Sequence, residues 1–160
     1  MQVSSPSPIS QSFTYQSTEE VIANAMVFLR SKLEREHVFT TADAVRRYLC
    51  LRLGRCECEY FGILFLDNQH RLIEFSELFR GTIDGAAVYP REVVKEALAR
   101  NAAAVILAHN HPSGVAEPSS ADRHITTQIR DALALVDIRV LDHFVVATTE
   151  SVSFAERGWL

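Results

Sequence analysis

The run Ala102-Ala103-Ala104-Val105-Ile106-Leu107-Ala108 constrains the fold of this chain more than any other segment. It carries no charge and is followed by a polar, proline-containing loop. Such a run reads as a central strand with both faces covered, which requires neighbouring strands and helical layers on both sides. The rest of the chain supplies both. Tyr60 to Leu66 reads as a second buried strand, Asp67 to His70 as a turn, and Arg71 to Phe79 as the returning strand of a hairpin. Pro90 takes the first position of a helix through Arg100, with Val93, Val94, Ala97 and Leu98 facing inward. Ser119 to Val136 reads as a helix with Ile125, Ile129, Ala132, Leu133 and Val136 on one face. Ile138 to Ala147 is a further strand, and Val152 to Phe154 a short last one. The expected class is α/β (α+β), a mixed sheet flanked by helices.

Upstream, residues 1–16 are rich in Ser and Pro without hydrophobic period and read as a flexible tail. Residues 17–55 read as an N-terminal helical segment. Ser17 and Glu20 fit a capping box, and Val21, Ile22, Ala25, Met26, Leu29 and Leu33 recur at helical spacing. A second helix starts after Thr40 or Thr41, carries Val45, Tyr48, Leu49 and Leu53 inward, and stops at Gly54. Residues 56–160 then form the main domain, with a glycine-bounded loop at Gly81 to Gly85. The formal net charge of -4 argues against holding nucleic acid by charge alone. No window reaches the roughly 18 apolar residues of a membrane span, and no secretory signal opens the chain, so a cytoplasmic location is expected. Cys50, Cys56 and Cys58 are read as plain thiols, because Cys-x-Cys without a second pair is a poor zinc knuckle.

The chemistry concentrates in His109-Asn110-His111-Pro112-Ser113-Gly114, at the exit of the apolar strand. Alternation places residues two apart on one side, so strand geometry persisting to residue 111 would project both imidazoles together. Ten residues separate His111 from Asp122, which lies in the first turn of the helix introduced by Pro118-Ser119. The stiff loop between can bring that carboxylate back to the strand end. Two His and one carboxylate leave tetrahedral zinc an open position, the mark of a catalytic site. Taken alone, the same residues also fit two loop histidines and a helix-capping acid, since Ser119-x-x-Asp122 is a capping pattern. Among the other histidines, His143 reads as a hydrogen-bonded core or supporting residue and His124 as rotated away from Asp122. His37 and His70 read as surface loop residues.

His109-x-His111-Pro112 followed by Ser119-x-x-Asp122 resembles the JAMM motif of JAB/MPN-domain metalloproteases. The fuller pattern, with Pro118-Ser119 and Asp142-His143, resembles the bacterial RadC-like JAB branch. Phe65-Leu66-Asp67, Gly81-Thr82, Pro90-Arg91-Glu92-Val93 and Ala103-x-x-Ile106-Leu107 support it, over about residue 41 to the C-terminus.

The resemblance implies a cytidine-deaminase-like JAB/MPN fold with a curved mixed sheet. It implies Zn2+ held by His109, His111 and Asp122, and a glutamate acting on the metal water. Glu59 aligns with that glutamate; Glu57, Glu92 and Glu96 compete for the role. The implied activity is hydrolysis of peptide or isopeptide amide bonds, with Ser119 donating a hydrogen bond to the developing oxyanion. The alternatives are a DNA-repair-associated protein or a non-catalytic protein-interaction module on the same fold. Longer RadC-like proteins carry a helix-hairpin-helix domain, which this sequence is expected to lack. That departure weakens the DNA-repair alternative.

Overall fold

A computed structural model describes residues 17–35, 41–81, 87–148 and 150–160. The tail expected at 1–16, His37, and Thr82 to Gly85 of the expected loop lie outside the described residues. Among the described residues, nine elements follow in order: α1 (Thr18–Arg35), α2 (Ala42–Leu53), β1 (Tyr60–Leu66), β2 (Leu72–Arg80), α3 (Pro90–Ala99), β3 (Ala104–Asn110), α4 (Ser120–Ala134), β4 (Arg139–Val146) and β5 (Ser151–Ser153). The strands form one sheet in the order β2-β1-β3-β4-β5. Among the described strands only β3 and β4 pair in parallel, and α4 makes the crossover between them. β1 runs antiparallel to both β2 and β3. This is the mixed sheet flanked by helices that the sequence implied, consistent with a JAB/MPN fold.

Alternation along the strands builds two cores. Leu64 and Leu66 of β1, Ala104, Ile106 and Ala108 of β3, and Phe144 and Val146 of β4 face Val45, Tyr48, Leu49 and Leu53 of α2. Phe61, Ile63, Phe65, Val105 and Leu107 face Val93 and Ala97 of α3 and Ile129 and Leu133 of α4. β3 is buried at every position, as an uncharged central strand must be.

Local signals explain the helix starts. Thr41 accepts a hydrogen bond from the Ala44 amide at the head of α2, and Ser17 Oγ accepts from the Glu20 amide at the head of α1. Pro90 opens α3.

The helix faces differ from expectation at two positions. In α3 Val93 and Ala97 are buried and Val94 packs half-buried against the same core, but Leu98 is exposed. Val93 and Ala97, four residues apart, share a face, whereas Leu98 is turned at least about 100° away from both. In α4 the polar Thr126 is buried between Asp122 and His143.

The topology gathers three chain segments at one end of the sheet. β3 ends there, β1 begins there because the two are antiparallel, and α4 starts there after the loop that leaves β3. Phe61 pairs with His109 across β1 and β3, and the His111 amide still donates to the Val146 carbonyl of β4 (2.9 Å). Strand-like bonding therefore persists one residue past β3, as the shared direction of the two imidazoles requires.

Candidate metal centre

His109 projects from the buried end of β3 and is 1% exposed. Phe61 stacks on its ring, with centroids 6.1 Å apart and planes at 10°. The Nδ1 atom lies 2.8 Å from His143 Nε2, so Nε2 is turned the other way. His111 sits at the mouth of the site, its Nδ1 2.9 Å from the Val115 carbonyl. That contact belongs to the tight turn through Gly114, whose positive φ of 82° suits glycine.

Asp122 reaches the same place from the first turn of α4. Ser119 and Asp122 form a reciprocal capping box. The Ser119 amide and hydroxyl both donate to Asp122 Oδ2, each at 2.7 Å. The Asp122 amide donates back to Ser119 Oγ at 3.1 Å. One carboxylate oxygen is thereby held by the cap, while Oδ1 lies 3.3 Å from His109 Nε2.

His109, His111 and Asp122 each offer one ligand atom, all within 4.8 Å of one another. The spacing suits a small tetrahedral ion. Two nitrogens each about 2.0–2.1 Å from such an ion stand about 3.3 Å apart. The two Nε2 atoms are 3.1 Å apart, and His111 Nε2 lies 3.6 Å from Asp122 Oδ2. Two imidazoles and a carboxylate are also the donors that zinc accepts.

The electrostatics point the same way. Burial pushes the Asp122 carboxyl up, but the neighbouring His109 and His111 imidazoles and the Ser119 hydroxyl outweigh it and hold the group well below the usual carboxylate range. The hydrogen bond to Asp122 raises the His111 imidazole above its ordinary value against partial burial, and Glu59 adds to the rise. His143 is wholly buried, and burial together with neighbouring His109 lowers it well below the usual imidazole value. The ionised Asp122 thus favours a positive charge beside it, and His143 behind the cluster stays neutral.

Glu59 is half-buried and immediately precedes β1. The β1–β3 register, Phe61 to His109, brings the start of β1 beside the end of β3. Its carbonyl accepts from the Gly81 amide at 2.8 Å. The competing carboxylates are placed differently: Glu57 is exposed, Glu92 pairs with Lys95 at 2.6 Å, and Glu96 pairs with Arg100.

Two residues that sequence reasoning left out hold this end together. Asn110, 2% exposed, accepts from the Tyr60 amide (2.8 Å) and donates to the carbonyls of Cys58 (2.9 Å) and Cys56 (3.4 Å). It fixes the backbone on both sides of Glu59. Thr126 Oγ1 lies 2.5 Å from the Asp122 carbonyl and 2.6 Å from His143 Nδ1. A polar residue at the end of an otherwise apolar strand was the available signal for Asn110. For Thr126 it was the four-residue spacing from Asp122. His143 stands where the sequence put it, as a buried hydrogen-bonded residue.

A mixed sheet with two imidazoles and a carboxylate converging at the end of its parallel pair defines a JAB/MPN-type domain. The family model for the RadC-like JAB domain matches residues 39–159, and the chain belongs to that family. A UPF0758 protein of Vibrio cholerae is 61% identical over 140 residues, covering 88% of each chain. A UPF0758 protein of Nitrosococcus oceani is 63% identical over 132 residues, 82% of this chain and 59% of that one. One from Tolumonas auensis is 57% identical over 146 residues, 91% of this chain and 65% of its own. The chain therefore spans less than two thirds of these last two relatives. The JAB superfamily is metal-dependent and hydrolase-like. None of the described helices is long and apolar enough to cross a membrane.

Proposed function

We propose that this chain is a zinc-dependent hydrolase of the JAMM type, cleaving peptide or isopeptide amide bonds. The observation that carries the reading is the convergence of His109 Nε2, His111 Nε2 and an Asp122 oxygen within 4.8 Å of one another, the two nitrogens at a separation suited to tetrahedral zinc. When bound, zinc would polarise the scissile carbonyl and lower the pKa of a water towards about 7.

The protein's own residues do the rest. His109, His111 and Asp122 hold the ion, with Ser119 fixing one Asp122 oxygen so that the other faces the cluster. Glu59 takes a proton from the attacking water and returns it to the leaving amine. Its place at the head of β1, beside the end of β3, supports that role over Glu57, Glu92 and Glu96. The Ser119 hydroxyl is donated to Asp122 here, so it reaches a developing oxyanion by turning about χ1 away from the carboxylate. Residues 56–160 carry this chemistry and residues 17–55 the helical cover.

The test is metal content together with cleavage of a peptide library. Purified protein is expected to hold about one zinc per chain, the one open tetrahedral site the donor set describes. His109→Ala with His111→Ala is expected to lose it with the fold intact by circular dichroism. Glu59→Gln is expected to keep zinc and lose cleavage. Full zinc retention in the double variant refutes the metal centre. Zinc binding without any cleavage by the wild type favours a non-catalytic interaction module, and salt-sensitive DNA binding the DNA-associated alternative.

A further inference from the structure

We propose that Thr126 and His143 are positioning residues that decide which nitrogen of His109 carries its proton, leaving Nε2 bare toward the cluster. The inference rests on the metal-centre reading and is argued from hydrogen-bond polarity.

The chain of contacts runs inward from α4. Thr126 Oγ1 lies 2.5 Å from the Asp122 carbonyl oxygen. A carbonyl can only accept, and a hydroxyl has one proton, so that proton is committed there. Thr126 Oγ1 must then accept from its other neighbour, His143 Nδ1, 2.6 Å away. A neutral imidazole protonated at Nδ1 has a bare Nε2. His143 Nε2 lies 2.8 Å from His109 Nδ1, so it accepts from that atom. His109 thereby carries its proton on Nδ1 and offers an Nε2 lone pair to the space shared with His111 and Asp122.

The reverse polarity fails at the Thr126 end. A Thr126 hydroxyl turned to His143 would leave two oxygens 2.5 Å apart with no proton between them. The Nε2 proton of His143 would then face His109 Nδ1, and the His109 proton would point toward Asp122 Oδ1, 3.3 Å away, where it would block a ligand bond. His111 needs no such chain, because the Val115 carbonyl fixes its Nδ1 proton directly. Burial makes the device necessary for His109. At 1% exposure it has no water to choose its tautomer, and its neighbour must be a buried acceptor. Because His143 is itself amphoteric, only a further residue of fixed polarity can set its direction, and the Asp122 carbonyl supplies that fixed point.

The experiment uses the full chain with Thr126→Val, which keeps the shape and removes the hydroxyl, and Thr126→Ser, which restores it. Zinc affinity is read by competition with a chromophoric chelator. The His109 tautomer is read in the metal-free protein by long-range nitrogen–proton correlation, at a pH where the imidazoles are neutral. Thr126→Val is expected to weaken zinc roughly 10- to 100-fold, the usual effect of losing a ligand's supporting hydrogen bond. It is also expected to move His109 from the Nδ1–H to the Nε2–H form. Thr126→Ser is expected to retain both wild-type values, and thermal unfolding confirms that each variant is folded. A wild-type His109 protonated at Nε2 overturns the proposal, as does a folded Thr126→Val with unchanged zinc affinity and tautomer. Failure of the wild type to bind zinc would instead overturn the metal centre. The tautomer in the metal-free protein still decides the relay, with Nδ1–H supporting it and Nε2–H refuting it.

Discussion

Replacing Asn110 with alanine removes the side chain that ties the segment around Glu59 to the end of β3. Two good hydrogen bonds are lost, from the Tyr60 amide at 2.8 Å and to the Cys58 carbonyl at 2.9 Å, together with a weaker one to the Cys56 carbonyl at 3.4 Å. Each intact bond contributes about 0.5–1.5 kcal/mol net, and a part-buried amide left without its partner costs about 1–3 kcal/mol. The sum is a destabilisation of about 2–6 kcal/mol. At about 2–4 °C per kcal/mol for a chain of this size, Tm is expected to fall by about 4–24 °C in a calorimetric scan. The zinc ligands lie outside residues 56–60, so zinc stoichiometry is expected to stay at the wild-type value while kcat falls with the loosening of Glu59. Asn110→Asp discriminates further: it keeps an acceptor for the Tyr60 amide but sets a negative oxygen against two carbonyls, and should cost at least as much as alanine. A Tm drop under about 2 °C for Asn110→Ala, below anything the arithmetic allows, would show that other contacts hold the segment. Loss of zinc together with unchanged stability would refute the division of labour between Asn110 and the ligands.

Two further outcomes follow from the same geometry. The His111 imidazole is raised, chiefly by its hydrogen bond to Asp122, so the metal-free cluster holds a proton that zinc must displace; affinity should fall as pH drops, starting above the ordinary imidazole value of about 6.5, with proton release visible by calorimetry in buffers of different ionisation enthalpy. Affinity that stays flat between about pH 8 and about pH 5.5 would contradict this. Gly62→Ala would place a methyl 2.7 Å from two Phe75 ring carbons, and Tyr48 packs edge-on against that ring (5.8 Å); the overpacking should cost about 1–3 kcal/mol by urea unfolding and leave zinc binding intact, and an unchanged midpoint would show that the ring moves freely.

What the sequence disclosed depended on how far apart the cooperating residues lie. The buried strands were legible because burial on both faces leaves a local mark, seven residues without a charge. His109 and His111 were legible because alternation along a strand is local, and Asp122 because a capping box is local. Leu98 was misplaced for a complementary reason. An apolar residue in a short helix looks inward, yet Val93, Val94 and Ala97 pack on the core while Leu98 lies beyond it, and the width of the contact is set by strands elsewhere in the chain. Asn110, Thr126 and His143 act through partners far along the chain: Asn110 through Tyr60, and His143 through His109 and Thr126. No spacing rule within one segment reveals such pairs, so the partners of these residues became visible only with the fold, although His143 was legible as a supporting residue.

That support also ties the cluster to the stability of α4. Asp122 is held at both ends of its residue: its carboxylate by the Ser119 amide and hydroxyl, its backbone carbonyl by Thr126. The first contact caps the helix and the second anchors the tautomer chain, so the residue that starts α4 correctly also aims an oxygen and, through Thr126 and His143, a nitrogen at one point. A helix begun one residue later would lose the cap, turn Asp122 about 100° away and break the register between Thr126 and His143. Correct helix initiation and correct ligand geometry are therefore the same event, because the carboxylate and the relay hang from a single turn of backbone.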